Sequence, residues 1–228
     1  MVQRPTGSLS PYSLVGALVL ALLAGVSFFI FTKELDQYSR GVLGDTEGFQ
    51  HWLDPQHEMP LSINGQVDLL SGCIFALESW KTRFRSNDDI SLVAQNCATE
   101  AERIAGVNPN LSEAHYLLAY TSFLKGAQSD AIGYLAVAQK TAPTDQWLAV
   151  RRVRLAQSML PGEVNIEHYN LQNDLGLLIA SNRGLDTAAS LYIKYPQLRD
   201  MIIASTEDLR DSDRARFLSR LKNAVARN

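Results

Sequence analysis

From Pro5 to Thr32 the chain carries no charged side chain, and Tyr12 to Phe31 reads YSLVGALVLALLAGVSFFIF. Twenty helical residues cover about 30 Å, the hydrocarbon thickness of a bilayer. Tyr12 stands at one edge and Phe28, Phe29 and Phe31 near the other, a placement that suits the interfaces, though only the tyrosine is a typical belt residue. A buried core helix is the competing reading, but soluble cores rarely need so long and uniform a run. A cleaved secretory signal would close on a small-x-small site. This run closes on Phe-Phe-Ile-Phe-Thr-Lys instead. The pattern therefore predicts a short leader over 1–11 and an uncleaved transmembrane anchor over 12–32.

The pattern then changes. Gly41, Gly44, Gly48, Pro55 and Pro60 interrupt any long helix, which predicts a linker over 33–64. From residue 65 to 228 the apolar positions recur at three- and four-residue steps, and no stretch alternates with period two long enough for a strand. An all-α domain follows. Val67, Leu70, Ile74, Leu77 and Phe84 predict a first helix over 67–85. Ile90, Val93, Cys97, Ala101 and Ile104 predict a second over 88–107, capped by Asp88 or Asp89 and stopped by Asn108-Pro109. Further helices are expected over 165–181, 185–195, 197–205 and 212–226, the last with Phe217, Leu218, Leu221 and Val225 on one stripe.

Residues 112–145, SEAHYLLAYTSFLKGAQSDAIGYLAVAQKTAPTD, form two amphipathic segments with small residues at set places. Ala119 and Ala131 are small where antiparallel helices cross. Gly126 sits at the turn, where a positive φ is expected. Pro143 ends the second segment, because it lacks an N–H. Pro109 precedes Pro143 by 34 residues, and the same interval separates Cys97 from Ala131 and Ile104 from Ala138. Together with Ala114, Leu118 and Ile132, these positions resemble the tetratricopeptide repeat, a helix–turn–helix unit of that period. His115 stands where that family has a large aromatic. The resemblance implies hairpins stacked as a short α-solenoid, closed by a C-terminal helical cap. It also implies a concave groove for protein partners, lined on the clear repeat by Glu113, Tyr116, Leu117, Tyr120 and Phe123.

Charge adds less. The net charge of −3 gives no broad footprint for nucleic acid. Arg4 on one side of the anchor nearly balances Lys33 and Arg40 on the other. A short leader before a first apolar segment most often stays inside. The expected placement is single-pass in the inner (cytoplasmic) membrane, with the large domain periplasmic or otherwise extracytoplasmic. Arg151, Arg152 and Arg154 form a basic cluster that reads either as a contact for acidic groups or as a solvated face. Cys73 and Cys97 fall at similar heights on consecutive helices, so they are a candidate disulfide or two small core residues.

Chemistry is sparse. His51, Asp54, His57 and Glu58 cluster in HWLDPQHE, but Pro55 interrupts any helical ligand spacing. His115 and His168 are isolated, and phosphate-loop, nucleophile-elbow and paired-cysteine motifs are absent. No catalytic, metal or cofactor site is expected. The favoured function is a membrane-tethered, non-catalytic interaction module. It would be an accessory subunit beside an integral-membrane complex in bacterial envelope assembly, with polysaccharide biosynthesis or export preferred. The alternatives are a small helical enzyme or ligand carrier using residues 51–58, and a purely structural, self-associating protein.

Overall fold

The structure is a computed structural model that describes residues 11–41, 45–55, 59–159 and 169–226. Among these residues there is no strand, and helix dominates. Helix α1 (Pro11–Gly41) contains one stretch, Leu14–Thr32, long and apolar enough to cross a membrane, with none of its length buried in the fold. The helix runs past the expected boundary at residue 32, because KELDQYSR contains no glycine or proline before Gly41.

The expected linker over 33–64 needs correction, since part of it is packed. Helix α2 (Asp45–His51) lies within it. Phe49 and Trp52 are 2% and 3% exposed, and Asn96 Nδ2 donates to the Trp52 carbonyl at 2.9 Å. Two aromatics in the core outweigh the nearby glycines and prolines.

Helix α3 (Ile63–Glu78) starts at the cap Ser62, whose hydroxyl accepts from the Gly65 N–H at 2.9 Å. It stops at Glu78, short of residue 85. Ser79 leaves the helix at φ −58°, ψ 138°. The Thr82 hydroxyl donates to the Ala76 carbonyl at 2.6 Å, folding Trp80–Phe84 into a 3₁₀ turn. Helix α4 (Asn87–Val107) is capped by Ser86, not by Asp88 or Asp89. Those aspartates occupy its first turn, where negative charge suits the helix dipole. A disulfide joins Cys73 of α3 to Cys97 of α4 with Cα atoms 5.7 Å apart, and both residues are fully buried.

Helices α5 (Ser112–Leu124) and α6 (Gln128–Thr141) turn at Gly126, whose φ is +78°. Helices α4 and α6 end alike: Asn108 has φ −133°, ψ 71° and Ala142 φ −138°, ψ 70°, each before a proline. Then follow α7 (Gln146–Met159), α8 (Leu171–Ala180), α9 (Gly184–Lys194), α10 (Arg199–Ala204) and α11 (Asp211–Val225). Each helix from α3 to α9 packs on its successor, and α3 touches α5, α5 touches α7 and α7 touches α9. Helix α11 packs on α8 and α9. Its inward line is Phe217 with the partly buried Leu221 and Ala224. Leu218 and Val225, expected on that stripe, are 62% and 58% exposed, because the inward line steps by three and four from Phe217 and passes them by.

One polar junction sits in the core. Arg152 is fully buried and grips Asp174 with two hydrogen bonds, Nε to Oδ2 at 2.7 Å and Nη2 to Oδ1 at 2.8 Å. The Tyr169 hydroxyl donates to Asp174 at 2.6 Å, and Arg152 also reaches the Ala138 and Ala142 carbonyls at 3.4 Å. Burial pulls the Arg152 pKa down, but the hydrogen bonds and charge of Asp174 more than offset it and leave it raised.

Two outcomes follow for stability. Asp174→Ala strands a buried guanidinium and costs about 3–5 kcal/mol, whereas Arg152→Met with Asp174→Leu and Tyr169→Phe, which removes every member of the network, is close to neutral. Denaturant midpoints of the detergent-solubilised chain measure both. Reducing the disulfide frees a loop of 24 residues and costs about 3.5 kcal/mol, read as the midpoint shift between oxidised and reduced protein.

Candidate functional site

Because α3, α5 and α7 lie side by side, residues far apart in sequence share one face. Phe75 of α3 and Trp147 of α7 meet edge to face, with ring centroids 6.4 Å apart and planes at 66°. The Arg151 guanidinium lies 3.8 Å from the Trp147 ring centroid and 5.4 Å from that of Phe75. Its Nε sits 3.3 Å from Glu78 Oε2. The other carboxylate oxygen of Glu78 accepts a hydrogen bond from the Tyr116 hydroxyl. Tyr120, one turn along α5, places its ring 6.3 Å from Tyr116. The floor of this cluster is closed and its rim is open: Tyr116 is 1% exposed, Trp147 37% and Phe75 55%.

Electrostatics hold both phenols protonated. Burial pushes Tyr116 well above the usual tyrosine range, and the Glu78 charge and hydrogen bond add to it. Burial, aided by Glu78 and opposed by Arg83, pushes Tyr120 up to about 12. The cluster thus offers two aromatic surfaces and an oriented ion pair, which suit holding a side chain or peptide plane.

Of the groove residues expected from sequence, Tyr116 and Leu117 are buried in the core, and Tyr120 and Phe123 are half-buried against it. Helix α5 is apolar on most of its circumference and is flanked by α3, α4, α6 and α7, which takes these residues off the surface. Glu113 is half-buried, and burial first, then the Asp145 charge, raises its pKa against an opposing backbone hydrogen bond. The basic cluster splits. Arg151 joins the aromatic site and Arg154 is exposed. Arg152 cannot act as a surface contact, because Leu148, Ala149, Leu155 and Ala156 surround its helical position and bury it.

Phe75, Glu78 and Trp147 were not expected as lining residues. A signal existed: Phe75 is an aromatic off the apolar stripe of its helix, and Trp147 and Arg151 are four residues apart on one face. His51 packs edge to face on Trp52 at 5.3 Å, and Asp54 is exposed, whereas His57, Glu58 and His168 lie outside the described residues. His115 Nε2 is 2.7 Å from the Pro109 carbonyl, and its Nδ1 is buried without a hydrogen-bond partner. Among the described residues, no three His, Cys, Asp or Glu side chains converge as metal ligands. No protein-family model matches the chain, and no curated protein or solved structure is significantly similar to it.

The tyrosines make a pH prediction. Their folded pKa values exceed the unfolded value of about 10, so their contribution is complete below about pH 10 and is lost as pH rises toward 12. The denaturation midpoint should fall between about pH 10 and 12, and Tyr120→Phe should flatten that fall.

Proposed function

We propose that this chain is a membrane-tethered, non-catalytic interaction module. Helices α3, α5, α7 and α9 form the inner row of a short tetratricopeptide-like solenoid, and α11 caps it. The observation that carries the reading is the half-exposed meeting of Phe75 and Trp147 over α5, with Arg151 stacked between ring and carboxylate. Rigid aromatics beside an oriented arginine are the composition of binding hot spots. The 34-residue recurrence of the Asn108 and Ala142 helix ends, each before a proline, supports the repeat.

The tether is Leu14–Thr32. The buried disulfide suits an oxidising compartment, and therefore an extracytoplasmic domain on a single-pass inner-membrane protein. Tethering concentrates the site beside its partner, so a modest contact is enough for occupancy. The partner is an integral-membrane complex of envelope assembly, with polysaccharide biosynthesis or export preferred.

Co-purification from intact membranes tests this. Phe75→Ser with Trp147→Ala should abolish recovery of a membrane protein held by the native chain. Val137→Ser on α6, also at an exposed position, should leave recovery unchanged. Equal recovery by all three chains would rule out the aromatic face as the contact.

A further inference from the structure

Outside α1, the two most exposed large apolar side chains among the described residues are Phe84 at 79% and Trp80 at 64%. They stand on one 3₁₀ turn, stacked edge to face at 5.8 Å. The sequence there is WKTRFR, so basic side chains interleave with the rings. Arg83 is exposed, and Arg85 lies over the buried Phe49 ring at 5.1 Å. The turn is held firmly. Thr82 is buried and bonds back to Ala76, and the Ser79 hydroxyl accepts from the Lys81 N–H at 3.3 Å. Aromatics that could have tucked inward are therefore presented outward by a fixed backbone.

The place of this turn supplies the occupant. It packs against α2 and α3. Helix α1 ends nine residues beyond Thr32, about 13 Å along its axis. Helix α2 begins four residues later, within about 14 Å of chain. The headgroup layer beyond the hydrocarbon is itself about 7 Å deep on each side. A turn packed on α2 is thus within reach of the bilayer that holds α1. Trp favours the interface, an apolar ring such as that of Phe buries at the headgroup–acyl boundary, and arginines favour anionic headgroups.

We propose that Trp80 and Phe84 enter the headgroup layer of the bilayer spanned by α1, with Arg83 and Arg85 on anionic lipid phosphates, so that the domain lies down on its own membrane. This rests on α1 as a transmembrane anchor.

The test uses the full-length chain in nanodiscs of phosphatidylcholine, with or without phosphatidylglycerol, carrying brominated acyl chains. Trp52→Phe with Trp147→Phe leaves Trp80 as the reporter. If that chain is destabilised, the difference between the native chain and Trp80→Phe gives the same reading. The expected result is bromine quenching of Trp80 in anionic discs, greater than in neutral ones. The docked-to-undocked ratio should fall about fivefold for each of Arg83→Gln and Arg85→Gln. A chain that resists alkaline extraction but shows an unquenched Trp80 overturns the docking and leaves the anchor intact. A chain that leaves the disc on extraction overturns both. Shielding of Trp80 that appears only when a partner protein is added would also overturn the proposal, by making the turn a protein contact.

Discussion

The Arg152–Asp174 pair is the joint on which the arrangement of helices depends. One guanidinium of α7 is bound by the first turn of α8 and reaches the last carbonyls of α6. The Ala138 carbonyl already accepts from the Ala142 N–H at 3.3 Å, so the guanidinium adds a second donor there, and a cation at a helix C-terminus suits the dipole. The Ala138 carbonyl also accepts from the Ser112 hydroxyl at 2.6 Å, which brings the start of α5 to the same point. Four helices thus converge on a few polar atoms inside a mostly apolar core. Such a buried pair adds little net stability over apolar residues of the same size. What it adds is register, because apolar contacts tolerate sliding and a two-pronged ion pair does not.

Register is what the aromatic site needs. Phe75 and Trp147 are 72 residues apart, and they meet only if α3, α5 and α7 keep a set spacing. The disulfide holds α3 to α4 at one end of the row, and the arginine joint holds α6, α7 and α8 at the other. Between them, Glu78 ties α3 to both α5 and α7 through Tyr116 and Arg151. A side-chain displacement at Glu78 would therefore be felt at the exposed rings.

Much of the fold was legible because it is written in local pattern. The apolar run marks α1, and the recurring Asn-Pro and Ala-Pro steps mark the ends of α4 and α6. Gly126 marks its turn. Boundaries shifted where a side chain bonded locally, as at Ser79 and Thr82, which cut one expected helix into a helix and a turn. The site was less legible. Arg152 sits in the run RRVR, which resembles a solvated face, and its partner lies 22 residues away. Only the apolar neighbours three and four positions away betray it. Tyr116 and Leu117 looked like groove residues because a central helix, flanked on most sides, carries the same amphipathic signs as one lining a surface.

If α3 and α7 contribute to one binding face, Phe75 and Trp147 touch the same partner. A photo-reactive amino acid at Phe75, at Trp147 and, on α6, at the exposed Val137 tests it in intact membranes. Positions 75 and 147 should capture the same protein, and position 137 should not. Different adducts from 75 and 147, or capture from 137 alone, would contradict it.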